Sequence, residues 1–239
     1  MTDTLTTAMI FAAGRGERMR PLTDTCPKPL LEAGGKPLIV WQIERLAQAG
    51  IETIVINHAW LGAQIEATLG DGSRWGVRLA YSAEDEALET AGGIAQALPL
   101  LERGGGPAVF VAVSGDVFCE FDYRTLAAHA AQMAASAEPA MHLVMVPNPP
   151  FHPAGDFALG ASGALSLAGD VRLTFGNIGL YDTRMFRDLA AGTRRALTPY
   201  YRAAIEAGRA TGERYDGPWE NVGTPAQLGE LDLRLRGAR

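Results

Sequence analysis

An apolar run, Met9-Ile10-Phe11-Ala12-Ala13, stops at Gly14-Arg15-Gly16, and this break constrains the fold more than any other feature of the chain. Such a run bounded by glycine predicts a buried strand over Ala8–Ala13 that empties into a loop. Glycines let the backbone approach a ligand closely and let N–H groups converge on an anion. The loop then turns cationic through Arg15, Arg18 and Arg20 and ends at Lys28, which stands between Pro27 and Pro29. The prolines restrict the backbone around the lysine. Arg18 offers a planar fork and Lys28 a point charge, a pair suited to a polyphosphate at the end of the first strand. A bare Gly-x-Gly also describes an ordinary turn, but an ordinary turn has no need of that much cation. A dinucleotide-binding loop would want a small residue where Met19 stands, and no Gly-Lys-Ser/Thr follows as a Walker loop requires.

Beyond this loop, strand-like and helix-like segments alternate. Strands are expected at Thr53–Asn57, Val77–Ser82, Ala108–Val113 and Met141–Val146, and helices at Leu38–Ala49, Trp60–Leu69, Gly93–Leu101 and Leu126–Ala135. Gly104-Gly105-Gly106-Pro107 reads as a spacer. The alternation predicts an α/β fold with a mostly parallel sheet and helices on both faces. The order then changes: Phe157–Leu159 and Ala164–Leu167, joined through Ser162-Gly163, read as a small antiparallel insertion. Leu173–Tyr181 returns to the main sheet, and helices are expected at Thr183–Ala190, Thr198–Ala207 and Pro225–Leu235. No composition shift marks a linker, so one domain over 1–239 is expected, with its crevice at the carboxyl ends of the strands.

The chain of 239 residues can bury a sizeable core, and its net charge of −6 gives no reason to expect nucleic acid as a partner. Two cysteines, Cys26 and Cys119, form neither a disulfide framework nor a metal motif. Cys26 lies in the opening motif, where packing is the expected role and a reactive thiol the alternative. Residues 1–8 are mostly polar and no window is long and apolar enough to span a bilayer, so a cytoplasmic protein without membrane association is expected.

Other segments carry chemistry. Ser114-Gly115-Asp116 follows the most apolar strand, where a carboxylate is poorly explained by packing, although an aspartate in a turn or at a helix N-cap remains open. Glu89-Thr90-Ala91-Gly92-Gly93 reads as a helix start whose glycines permit close approach of a flat base or ribose, or simply as a helix capped by Thr90. Gly155-Asp156-Phe157 falls in the insertion, where Asp156 is either a sugar contact or a turn residue. Glu84-Asp85-Glu86 reads as a solvated loop face. His58, His129, His142 and His152 share no metal-ligand spacing, and core or surface roles are expected for each.

The pattern Gly14-x-Gly16-x-Arg18, Arg20-Pro21-Leu22-Thr23 and Pro27-Lys28-Pro29-Leu30 resembles the signature of the sugar-1-phosphate nucleotidyltransferases. Further likeness lies in Asn57-His58-Ala59-Trp60, Gly70-Asp71-Gly72-Ser73-Arg74, Glu89–Gly93, Gly115-Asp116 and Val222-Gly223-Thr224. Within that family, the run from Ile56 to Gly62 and Gly155-Asp156-Phe157 most resemble the bacterial N-acetylmuramate 1-phosphate uridylyltransferases. The resemblance implies a single Rossmann-like nucleotidyltransferase domain, with a nucleotide-binding part at about 8–120 and a sugar-binding part at about 121–224. It implies transfer of a uridylyl group from UTP to a sugar 1-phosphate, with Mg²⁺ as cofactor, in peptidoglycan recycling. Arg18 and Lys28 would be catalytic, and Ala12, Ala13, Gly14, Gly16, Glu17, Gly92, Gly93 and Ser114 would join them around the nucleotide. Glu89, Asp156 and Asn177 would contact the sugar, and Asp116 and Asn221 the metal. Two positions depart from the family pattern: Ser114 stands where Asn is frequent, and Asn221 stands where an aspartate is expected. Mannose or glucose 1-phosphate with GTP or dTTP is the rival substrate set, and a non-catalytic nucleotide-sensing protein is the rival class. A monomer or weak homo-oligomer is expected.

Overall fold

A computed structural model of the chain describes residues 5–102, 106 and 108–237. The first half runs β1 (Thr7–Phe11), β2 (Glu32–Ala33), β3 (Lys36–Pro37), α1 (Leu38–Gln48), β4 (Thr53–His58), α2 (Gly62–Leu69), β5 (Arg78–Ala83) and α3 (Glu89–Leu101). It continues with β6 (Val109–Ser114), β7 (Val117–Cys119), α4 (Ala127–Ala134) and β8 (Met141–Val146). The remainder is β9 (Ala158–Leu159), β10 (Leu165–Ser166), β11 (Thr174–Asp182), α5 (Thr198–Glu206), β12 (Ala210–Arg214), β13 (Trp219–Asn221) and α6 (Pro225–Gly237). Among the described residues no helix is long and apolar enough to cross a membrane.

Seven of these strands form one sheet in the order β12-β8-β11-β6-β1-β4-β5. The strands β6, β1, β4 and β5 run parallel, β11 is antiparallel to both β6 and β8, and β12 runs parallel to β8 at the edge. The expected mixed, mostly parallel α/β sheet is therefore the observed one. Alternation along the strands divides the core into two layers. Ala8, Ile10, Ile54, Ile56, Val111 and Val113 face α1 and α4 on one side. Met9, Val55, Ala80, Phe110 and Ala112 face α3 and α5 on the other. A third cluster, Met19, Leu31, Ala33, Leu38, Phe118, Val222 and Leu231, ties the opening loop to α6.

Several elements depart from the sequence expectation for identifiable reasons. The helix expected from Trp60 starts at Gly62, because Leu61 is left-handed (φ 53°) and a Cβ on Gly62 would lie 1.9 Å from His58 Nδ1. The helix expected at Thr183–Ala190 shrinks to a 3₁₀ turn, Thr183–Phe186. There the Asp182 carboxylate accepts from the Arg184 N–H (2.9 Å), and the Arg184 guanidinium donates to the Ala137 and Ser136 carbonyls. The insertion forms as expected, with β9 and β10 antiparallel and Gly163 at φ 82° in their turn. The sequence reading missed β12, the small hairpin β2–β3, and the antiparallel pair β7–β13. Of the expected spacer, Gly104, Gly105 and Pro107 lie outside the described residues.

Candidate active site

The loop after β1 is folded by its own side chains into short turns. Gly16 takes φ 69°, a left-handed conformation, and a Cβ there would stand 3.0 Å from Lys28 Cβ. Its carbonyl accepts from Thr23 Oγ1 (2.9 Å) and from the Met19 N–H (2.9 Å). Met19, the residue that breaks the dinucleotide pattern, is fully buried in the cluster with Phe118 and Val222 and anchors the loop. The segment after β4 braces it from outside: Trp60 Nε1 donates to the Thr23 carbonyl (2.9 Å), and the Arg15 guanidinium lies 3.9 Å over the Trp60 ring. The backbone N–H groups of Gly14 and Gly16 and the Arg18 side chain are left without partners among the described residues. A cavity of about 690 Å³ opens against them, lined also by Ala12, Ala13, Glu17, Lys28, Ser114 and Asp116. Gly223 borders it too, and a Cβ there would approach Arg18 Nη2 to 3.4 Å, so the glycine leaves the guanidinium its place.

A polar chain crosses beneath this cavity. Asn57 Oδ1 accepts from the Ala12 N–H (3.1 Å), while Asn57 Nδ2 donates to Glu84 Oε1 (2.7 Å). Glu84 also accepts from the Leu88 N–H (2.8 Å). Glu84 is 5% exposed, so the solvated face expected at Glu84-Asp85-Glu86 holds only for its neighbours. Burial pushes the Glu84 carboxyl above its ordinary range. Gly92 and Gly93 pack closely in the same region. A Cβ on Gly93 would meet Asn57 Nδ2 and Glu84 Oε1 at 2.7 Å, and one on Gly92 would meet the Thr193 carbonyl at 2.3 Å. Both glycines admit the protein's own groups, and Ala87, Glu89 and Thr90 line the cavity in their stead. Glu89, expected near the sugar, borders this same cavity at φ 60° and pairs with Arg194 (3.1 Å).

Ser114-Gly115-Asp116 turns off the end of β6 beside β1. The Gly115 N–H donates to the Phe11 carbonyl (2.9 Å), at a spacing that would bring a Cβ to 3.1 Å from that oxygen. Asp116 is then presented to the cavity, where Lys28 Nζ bonds its Oδ2. Lys28 is 8% exposed, so this is a largely buried ion pair in which each charge neutralises the other. Cys26 nearby stays an ordinary thiol: burial, and secondarily Glu32, push it up.

A second cavity, of about 490 Å³, lies on the face of β11. Asp156, Asn177 and Asn221 meet there, together with Phe151, His152, Tyr201 and Arg202, none of which the sequence reading selected. Asn177 (φ 55°) sits in an irregularity of β11 between Phe175 and Gly179, fixed from behind by Trp219 Nε1 donating to the Gly176 carbonyl (2.8 Å). Asp156 is partly committed to the fold, accepting from the Phe175 N–H (2.8 Å) and lying 3.1 Å from His152 Nε2. Strand β13 pairs with β7, setting Asn221 opposite Val117, and the Val222 N–H donates to the Asp116 carbonyl (3.0 Å). The Asn221 amide oxygen is buried and lacks a hydrogen-bond partner among the described residues. Glu220 is turned to α6, where it pairs with Arg234. The signal for Arg202 was faint: a cation on a helix face, which only β11 and the insertion convert into a cavity wall.

The family described as Nucleotidyl transferase matches residues 7–151. The chain is 51% identical over 237 residues to the N-acetylmuramate alpha-1-phosphate uridylyltransferase of Neisseria meningitidis serogroup B, covering 97% of this chain and 98% of that protein. A protein of the same description from Caulobacter vibrioides is 34% identical, covering 95% of this chain and 96% of its own. The mannose-1-phosphate guanyltransferase of Schizosaccharomyces pombe is 40% identical over 51% of this chain and 33% of its own. Among solved structures, a chain from Bacillus anthracis described as a glucose-1-phosphate thymidylyltransferase superposes with a TM-score of 0.76 at 23% identity, covering 96% of this chain and 95% of that one. HddC from Yersinia pseudotuberculosis gives 0.75 at 16% identity, covering 96% and 99%. These last two carry the fold alone. With a family match over most of its length and near-complete coverage of a relative at 51% identity, the chain belongs to the nucleotidyl transferase family, among its sugar-1-phosphate nucleotidyltransferases.

Proposed function

We propose that the protein transfers a uridylyl group from UTP to N-acetylmuramate 1-phosphate, giving UDP-N-acetylmuramate and pyrophosphate for peptidoglycan recycling. The observation that carries this substrate choice is the 51% identity with the Neisseria enzyme across nearly the whole of both chains. An oxygen of the sugar phosphate, already ionised, attacks the α-phosphorus of UTP. The bond to the β-phosphate oxygen breaks in line, and pyrophosphate leaves with the electron pair. No protein group has to accept a proton, so positioning and charge stabilisation supply the catalysis. Arg18 and the free amides of Gly14 and Gly16 grip the β- and γ-phosphates. Lys28 exchanges Asp116 for the α-phosphate and neutralises the charge developing there.

The donor set fits a hard cation such as Mg²⁺, with the Asp116 carboxylate and the unpartnered Asn221 amide oxygen as the protein's ligands. Bound there, the ion would offset triphosphate charge. In this reading residues of about 8–120 serve the nucleotide and those of about 121–224 the sugar. The sugar of N-acetylmuramate carries a lactyl carboxylate, and Arg202 in the wall of the second cavity supplies the cation to meet it. Asp156 and Asn177 are assigned to hydroxyl and acyl groups of the same sugar, and Glu89 with Ser114 to the seam between the two substrates.

The test is pyrophosphate release by purified protein with Mg²⁺, each nucleoside triphosphate in turn, and a panel of sugar 1-phosphates. Turnover is expected with UTP and N-acetylmuramate 1-phosphate. Turnover only with mannose or glucose 1-phosphate would overturn the substrate, and nucleotide binding without turnover on any sugar would overturn the activity.

A further inference from the structure

We propose that His129, His142 and Glu213 form a binding site for a transition-metal dication of the zinc class, apart from the two substrate cavities. The register of the sheet edge builds it. Thr211 of β12 stands opposite His142 of β8, and Glu213 opposite Val144. Alternation puts all four side chains on one face. That face packs on α4, since Val144 shares its core cluster with Ala130, and His129 is the residue beside Ala130.

One ligand atom from each of the three side chains lies within 4.8 Å of the others, and among the described residues no other group of three His, Cys, Asp or Glu meets that test. His142 is 1% exposed, and its Nδ1 lies 2.8 Å from Thr211 Oγ1. With Nδ1 donating to that hydroxyl, the lone pair falls on Nε2, the arrangement an outer-shell partner imposes on a ligating histidine. Nε2 has no hydrogen-bond partner, and neither has the buried Glu213 Oε1, 3.8 Å away. Two buried polar atoms thus face one another without a hydrogen bond between them. A dication bound between them would satisfy both at once.

The His129 ring stacks on His142 with centroids 3.8 Å apart and planes at 16°. Stacked rings hold their lone pairs side by side. Capture therefore turns the half-buried His129 ring inward while His142 stays fixed by Thr211. Two imidazoles and one carboxylate suit zinc, cobalt or nickel rather than magnesium, with water completing the set. The bound ion would tie the edge strand β12 to β8 and α4.

Cobalt(II) titration of chelator-treated protein in excess Mg²⁺ tests the site directly. One equivalent is expected to give the intensified visible bands of a low-symmetry site, displaced by Zn²⁺. At a hundredfold excess over its Kd, Zn²⁺ is expected to raise Tm by roughly 5–10 °C. Both responses should vanish in His129→Ala and in Glu213→Gln while persisting in Asp116→Asn. The proposal falls if the wild type gives no cobalt bands, or if the bands survive unchanged in both His129→Ala and Glu213→Gln. It falls equally if Asp116→Asn removes them.

Discussion

The two cavities are built in contrasting ways. Around the first, more than half of the lining residues come from one stretch, Phe11 to Pro29, folded by its own turns and nailed down by Met19. Around the second, residues from Phe151 to Asn221 contribute through a strand irregularity, an insertion and a helix distant from one another in the chain. Charge differs as well. The first cavity already holds a closed ion pair, Lys28 with Asp116, whereas the second holds a guanidinium and a buried amide oxygen without a partner. The first site is thus built largely from one stretch with its lysine already paired, and the second is assembled from distant elements.

Lys28→Ala should separate the two most sharply. It is expected to lower kcat by about 10²–10³-fold with the fold retained. Steady-state pyrophosphate release at saturating substrates checks this, and near-wild-type turnover would remove Lys28 from the chemistry. Arg202→Ala should act on the second cavity alone. The KM for N-acetylmuramate 1-phosphate is expected to rise roughly 10–100-fold, the worth of a charge-assisted bond, while the KM for UTP stays put. An equal rise for a sugar 1-phosphate lacking the lactyl carboxylate would show that Arg202 reads something else.

Gly16→Ala probes how far the first site depends on its turn. A side chain in left-handed backbone costs about 1–2 kcal/mol, which calorimetry should register as a Tm lower by roughly 2–8 °C. Asn221→Asp bridges the two regions: the added charge is expected to lower the Mg²⁺ concentration for half-maximal rate roughly tenfold. An unchanged Mg²⁺ dependence would separate Asn221 from the ion.

The smallest effect concerns Glu84. Its raised carboxyl keeps a proton in the folded state that the unfolded chain has already released. Its contribution is therefore largest below the ordinary carboxylate range and is lost as pH rises through that range towards the raised value. Glu84→Gln should flatten this slope by less than about 1 kcal/mol, read from denaturant midpoints between mildly acidic and neutral pH.

The difference in construction also explains what could be read beforehand. Local sequence announces the opening loop because glycine at a left-handed position, proline beside a lysine and clustered arginines each act through their immediate neighbours. The parallel core strands were equally legible, being continuous apolar runs buried on both faces. Strand β12 was not, because Ala210-Thr211-Gly212-Glu213-Arg214 has no apolar face and exists by pairing with β8. Gly92 and Gly93 were half legible for a related reason: glycine signals close approach without saying to what. The approaching groups, the Thr193 carbonyl and the Asn57–Glu84 pair, are far away in the chain.

The sequence alone therefore determined the α/β class, the strand that ends in a cationic, glycine-broken loop, and the family signature carried by Gly14 to Leu30. Tertiary structure decided that Lys28 and Asp116, separated by 88 positions, close on one another. It also decided that Asn221 arrives beside β7 with an unsatisfied oxygen, and that His129, His142 and Glu213 converge at the sheet edge. Turns and apolar periodicity are fixed by forces between residues a few positions apart, whereas charge pairing and ligand convergence depend on strand order and register, which only the folded chain sets.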